Sequence, residues 1–203
     1  MDFSFTEEAE AVRDLAEQVF SGSVTVERVK EVEASEEGFD RGLWKELAST
    51  GLLGIGLPES AGGAGLGLVE VCLTLIAQAR QVAPVPLWPT VVAAQTLAAH
   101  GTTDQQERWL PAVAAGDAVL TVALEHGPAG EQGSVDGDRL TGEWPSVPAL
   151  NVADAAIVFV GSDGYLVETG ADGVTFEVAT TTSRGRVGHL RLDGVAGTPL
   201  AGP

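Results

Sequence analysis

The sequence is short of cysteine, of basic residues and of long apolar runs, and each shortage removes a class of protein. Cys72 is the only cysteine, so no disulfide can close within the chain, as fits a reducing cytosol. It lies in the apolar pattern LVEVCLTLIA and reads as a small core residue rather than a nucleophile. Lysine and arginine number 11 against 29 aspartates and glutamates, a net charge of −18. A surface of that sign repels nucleic acid and anionic membranes. No apolar run reaches the roughly 18 residues of a membrane span. The N-terminal MDFSFTEEAEAV has neither the basic nor the apolar segment of a signal peptide. The expectation is a cytoplasmic protein with no nucleic-acid and no membrane partner.

What is present is a globular pattern of two characters. A chain of 203 residues can bury roughly 70% of its unfolded surface and needs no staple. Ala11, Val12, Leu15, Ala16, Val19 and Phe20 recur at helical spacing, with Ser4 and Glu7 at capping-box spacing before them. Further helices are predicted near Val24–Ala34, around Leu43–Ala48 with a stop at Gly51, over Leu68–Val82 and over Thr90–His100. APVPLWP separates the last two, because prolines interrupt helices. A final helix is predicted from Thr103, capped with Gln106 and bent or ended by Pro111. After Gly116 the chain turns to short Val-, Leu-, Ile-, Thr- and Phe-rich runs divided by Gly, Asp and Ser, as strands require. The fold class is therefore α+β: an N-terminal all-helical domain, residues 1–116, followed by a small antiparallel β-barrel or sheet domain, residues 117–203.

Generic chemical motifs are weak. PESAGGAGLGL closes no G-x-G-x-x-G frame and carries no phosphate-loop lysine, so it reads as a helix-to-helix loop needing positive φ. His100, His126 and His189 have no partner at metal spacing, so no metal is expected; His100 fits the negative end of a helix dipole. No G-x-S-x-G elbow is present. Glu125 and Glu131 are better read as a solvated turn than as an acid/base pair. Arg184, Arg186 and Arg191 cluster late and read as loop and strand-face charges, with contact to a cofactor or a neighbouring subunit as the alternative.

Three stretches taken together are more specific. GLLGIGLPESAGGAGLGLVEV resembles the G-x-x-G-x-x-x-P-E-x-x-G-G-x-G block of acyl-CoA dehydrogenases. AAHGTTDQQERWLPAVAAGDAVLTVAL resembles their G-T-x-x-Q-x-x-R-W-L-P-x-x-A-x-G block, and NVADAAIVFV resembles their A-D-x-x-x-V strand. The order and distances suit that family over nearly the whole chain. The resemblance implies an N-terminal helical domain, a middle β-domain, and a C-terminal helical bundle that has no counterpart in these residues. It implies FAD, an acyl-CoA substrate desaturated at the α,β bond, and an electron-transfer flavoprotein as acceptor. The family's catalytic glutamate belongs to the C-terminal domain, so no catalytic residue is assigned here. A β-domain without that bundle would expose a face that self-associates.

The same resemblance places the family's flavin-contacting positions at Leu124, Glu125, Gly130, Ser146 and Val147, and most of them depart from its pattern. ALEHGPAGEQ occupies the place of A-L-T-E-P-x-A-G-S-D, where only Ala123, Leu124, Ala129 and Gly130 match. GEWPSVPALNVAD occupies the place of G-x-K-x-W-I-T-N-x-x-x-A-D. Trp144 then falls on the lysine position, Ser146 on the tryptophan, Val147 on the isoleucine and Pro148 on the threonine. The family's threonine hydroxyl donates to the flavin's reactive edge and its indole stacks near the ring. Losing both costs about 2 kcal/mol, on the order of 30-fold in affinity. A carboxylate at Glu125 would also oppose reduction of an electron-rich ring. The foremost expectation is a flavin-degenerate subunit paired with a second, flavin-competent acyl-CoA dehydrogenase chain, as in steroid and bulky acyl-CoA catabolism. FAD would then bind only in the complex, and this chain alone would be inactive. A conventional FAD-dependent dehydrogenase lacking its C-terminal domain here, and a non-enzymatic acyl-CoA-binding or scaffold protein, are the alternatives.

Overall fold

The computed structural model describes residues 4–124 and 133–201. Among these described residues, six α-helices come first: α1 (Glu7–Ser23), α2 (Val26–Ala34), α3 (Arg41–Ser49), α4 (Leu68–Gln81), α5 (Leu87–His100) and α6 (Thr103–Ala114). Eight strands follow: β1 (Leu120–Ala123), β2 (Ser134–Asp136), β3 (Arg139–Pro148), β4 (Ala155–Val160), β5 (Asp163–Glu168), β6 (Val174–Thr180), β7 (Arg186–Ala196) and β8 (Thr198–Pro199). They form two four-stranded sheets, ordered β1-β4-β5-β8 and β2-β3-β7-β6. The α+β plan holds. The sheets are not wholly antiparallel, however, because β1 pairs parallel to β4 from Leu120↔Ala155 to Ala123↔Val158. All four residues of β1 are buried, as suits a strand packed on both faces.

Helix ends differ from the sequence expectations by a residue or a few, for local reasons. Thr6, not Ser4, caps α1 by accepting from Ala9 N. Thr102, not Thr103, caps α6, and its partner in the reciprocal capping box is Gln105. Pro111 does not end α6, which runs on to Ala114. α5 begins at Leu87, with Pro86 at its N-cap and Pro89 in its first turn. A first-turn N–H has no intrahelical partner, so proline costs little there. The glycine-rich loop between α3 and α4 does require positive φ, at Gly62 (78°) and Gly65 (67°).

The two characters of the chain share cores. Leu97 of α5 and Trp109, Leu110 and Val113 of α6 pack with Leu120, Val122, Ala155 and Ile157 of the first sheet. Gln105 ties α6 to β8, donating to Thr198 Oγ1 (3.0 Å) and to the carbonyls of Thr198 and Pro199. A separate core lies between the sheets, around Leu140, Trp144, Val147, Leu150, Val158 and Leu190. Cys72 departs from its expected place, since it is exposed on α4. Leu68, Val69, Ile76 and Val82 of the same segment are also exposed. Among the described residues no helix is long and apolar enough to cross a membrane.

Candidate functional site

A cleft of about 630 Å³ opens where helices meet sheets. One wall is the end of α4, the turn after it and the start of α5, carrying Leu75, Val82, Val85, Pro86 and Trp88. The other is the segment after β3 and the β6–β7 hairpin, carrying Pro148, Asn151, Arg184 and Arg186. The α2–α3 loop, Glu37 to Phe39, closes one side.

Each wall is held by polar contacts to backbone. Gln78 Nε2 donates to the carbonyls of Ala83 (3.2 Å) and Val85 (2.8 Å), fixing the turn before α5. Asp40 N donates to Pro84 O (2.9 Å), joining that turn to the start of α3. The Asp40 side chain caps α3 through Gly42 N and Leu43 N (3.1 Å each) and takes a two-pronged contact from Arg28 (2.7 and 2.9 Å). Arg28 holds the Asp40 carboxyl below the usual carboxylate range; burial opposes this, and the backbone N–H groups add to it. Arg186 crosses from the hairpin to the end of α2, donating to Ser35 O (2.9 Å) and Glu33 O (3.3 Å) and also to Thr180 Oγ1. Asn151 Nδ2 donates to Glu37 O (2.8 Å) beside it.

The predicted site residues divide between this cleft and undescribed chain. Glu125 and Gly130, with His126 and Glu131 of the supposed turn, lie outside the described residues. Leu124 is exposed just beyond β1. β1 meets the end of β3 where Thr121 Oγ1 donates to Pro148 O (2.5 Å). Ser146 and Val147 stand at a register shift: Trp144 pairs with Leu190 but Val147 with Gly188, so β3 holds one extra residue. The bulge reverses the inward–outward alternation. Trp144 and Val147, three apart, are thus both fully buried, while Ser146 is exposed at φ 57°. Pro148 lines the cleft.

The positions that the family resemblance assigns to the flavin edge carry no hydroxyl donor at 148 and no aromatic face at 146. Proline at 148 has neither an N–H nor a hydroxyl to donate, and its carbonyl already accepts from Thr121. Ser146 offers no aromatic face. Trp144 cannot substitute, because its ring is fully buried and its Nε1 donates to Phe159 O (3.2 Å). Among the described residues there is also no group of three His, Cys, Asp or Glu able to hold a metal ion. Two parts of the cleft take roles that the sequence did not show. The proline-rich turn was legible only as a helix break, and Arg186 gave no sign that it would clamp α2.

The family model "Acyl-CoA dehydrogenase, N-terminal domain" matches residues 6–117. The chain belongs to the acyl-CoA dehydrogenase family. Acyl-CoA dehydrogenase FadE27 of Mycobacterium tuberculosis is 38% identical over 96% of this chain and 54% of its own length. A chain of the Tcur3481-Tcur3483 steroid ACAD, in its G363A variant, superposes with a TM-score of 0.90 at 44% identity, covering 97% of this chain and 57% of that one. A chain of the ChsE4-ChsE5 complex from Mycobacterium tuberculosis superposes with a TM-score of 0.89 at 37% identity, covering 99% and 57%. This chain therefore spans somewhat more than half the length of the relatives it matches.

The family blocks mark structural duties. In the first, a Cβ on Gly63 would lie 2.2 Å from Leu57 O, so only glycine fits that close approach. In the second, Thr102 and Gln105 cap a helix, Gln105 also anchors β8, and Trp109 is core. In the third, Asp154 Oδ2 accepts from Val119 N (2.8 Å), setting β1 beside β4.

Proposed function

We propose that this chain is the flavin-degenerate subunit of a hetero-oligomeric acyl-CoA dehydrogenase that desaturates bulky, steroid-type acyl-CoA thioesters. What carries this reading is the end of β3: the positions that the family resemblance assigns to the flavin edge hold Ser146 and Pro148, and the indole of Trp144 is committed to the core. FAD would be held by, or jointly with, a second acyl-CoA dehydrogenase-family chain, and an electron-transfer flavoprotein would take the electrons. Residues 1–116 and 117–203 would be the N-terminal and middle domains of this subunit, acting in the cytoplasm. Resemblance to chains of a complex and of a steroid ACAD supports the hetero-oligomer and the substrate class. The cleft supports a bulky ligand, being wide and walled by Val85, Pro86 and Trp88.

The test is turnover of a steroid-side-chain acyl-CoA by the full-length protein, alone and co-purified with its partner, with a chemical electron acceptor. Activity only in the complex is expected. Comparable turnover by the full-length chain alone, with its own FAD, would favour a conventional dehydrogenase instead.

A further inference from the structure

A sheet edge carries unpaired N–H and C=O groups that can pair with another chain, and proteins usually blunt it. Among the described residues the two sheets have four edges, and three are blunted. β2 has three residues and β8 two. β1 is buried throughout and α5 lies against it, with Thr90 Oγ1 donating to Leu120 O (2.9 Å). β6 is different. It runs seven residues, Val174–Thr180, with no proline and no lysine. It pairs with β7 without a bulge from Val174↔Leu192 to Thr180↔Arg186. Its other side meets no strand among the described residues.

The ladder to β7 fixes which backbone groups face outward. Gly173 O accepts from Asp193 N (3.1 Å) and Thr181 N donates to Gly185 O (2.9 Å) at its two ends. Antiparallel bonding alternates, so Thr175, Glu177 and Ala179 bond β7, while Phe176, Val178 and Thr180 turn their N–H and C=O groups outward. Val174 also points away from β7, its N–H donating to Ala171 O (3.1 Å). The side chains of Val174, Phe176 and Val178 form an apolar row on one face, and the last two are exposed. An open ladder beside an apolar row suits an added strand.

The residues of β6 select the strand that fits. Val174 and Val178 lie symmetrically about Phe176. A second copy laid antiparallel, with Phe176 opposite Phe176, sets Val174 of each copy opposite Val178 of the other, and Glu177 opposite Thr175. No like charges then face each other. A two-residue shift either sets Glu177 against Glu177 or sets Val178 against Asp172. Local charge also permits the approach, although each chain carries −18. Glu177 is engaged by Arg191 at 2.9 Å. The antiparallel sense brings the Asp172 end of one β6 to the end of the other that leads into Arg184 and Arg186.

We propose that β6 is a self-complementary docking edge on which two copies of this chain pair antiparallel about a two-fold axis at Phe176, joining two four-stranded sheets into one of eight strands. No residue of β6 lines the cleft, and the pairing is independent of whether either copy holds FAD.

Sedimentation equilibrium of the full-length protein reads the pairing, and two copies per particle are expected. Val178→Pro removes an outward N–H and leaves the bonds to β7 in place. It deletes two hydrogen bonds per dimer and should weaken pairing roughly tenfold or more, with an unchanged far-ultraviolet spectrum. Disulfide trapping reads the register without proline. In a Cys72→Ser background, chains carrying Thr175→Cys are mixed with chains carrying Glu177→Cys. Those two positions stand opposite each other at about 4.5 Å between Cα atoms, within disulfide reach. Two chains of either variant alone place their cysteines about 8 Å apart, beyond that reach. The mixture should therefore cross-link roughly tenfold faster than either variant alone. A monomeric wild type, whether its edge is open or covered by the rest of its own chain, would overturn the proposal. So would a dimer that ignores Val178→Pro and cross-links no faster in the mixture. A sensitivity to Val178→Pro seen only with a second kind of subunit present would give the edge to that subunit and overturn the self-pairing.

Discussion

Asp40 shows how one side chain serves helix, cleft and charge balance together. It is almost wholly buried, caps α3 and accepts both prongs of Arg28. Its carboxyl is held below the ordinary range, so its contribution is complete above the unfolded value of about 3.9 and is lost as pH falls through the lower folded value. Asp40→Ala should destabilise the fold by about 1–3 kcal/mol at neutral pH. The gap between wild type and variant should close below about pH 4; urea unfolding across pH measures it. A gap that persists in acid would deny the carboxylate's role. Gly38, two residues earlier, has φ 64°, and a Cβ there would sit 3.1 Å from Arg186 Cγ. Gly38→Ala should therefore cost about 1–2 kcal/mol, read as a lowered Tm, and loosen the clamp on the hairpin. At this scale the sequence was a mixed guide. Trp144 could be set aside as a flavin contact from register alone, and it is core. Cys72 was read as core and is exposed, because an apolar stretch of helix does not declare which side is covered.

The element that matters most at the cleft is β3, which the sequence did not reveal as a strand. Two prolines and the polar run RLTGEWPS mask its alternation, and the bulge after Trp144 breaks the period of two on which strand recognition relies. The same extra residue puts Val147 in the core and Ser146 outside. Deleting Pro145 should remove the extra residue and leave Trp144 and Val147 two apart, both still facing the core and still opposite Leu190 and Gly188. A soluble variant with a cooperative unfolding transition, read in urea, is expected. Loss of that transition would mean that the extra residue is needed to hold β3 in register. The helices were legible to within a few residues because their periodicity is long and their caps are chemical. The sequence pointed to Thr103 and Gln106 for the cap of α6, and the geometry sets it one residue earlier, at Thr102 and Gln105.

At the scale of the molecule, charge and uncovered apolar surface dominate. A net charge of −18 over 203 residues makes the folded state repel itself. Raising ionic strength from roughly 10 mM to roughly 300 mM should raise Tm by a few degrees, since the Debye length falls well below the molecular diameter. A fall in Tm would show that the surface ion pairs outweigh the repulsion. Phe176 and Val178 on β6 face the same side as buried Leu190 and Gly188 of β7, yet are 38% and 46% exposed. With the exposed row on α4 they should make residues 1–203 self-associate on their own, and a monomer by sedimentation at tens of micromolar would contradict this. The overall α+β plan and the family could be read from the sequence because the family blocks are caps, close approaches and core contacts. The site could be read only as a set of departures, since a flavin edge is defined by what its residues face. Flavin-to-protein stoichiometry tests the central claim most directly. FAD released from the full-length protein purified alone, and from its complex with the partner subunit, would be counted per chain. No FAD alone, and about one FAD for every two chains in the complex, is expected; one FAD per chain in the lone protein would contradict a flavin-degenerate subunit.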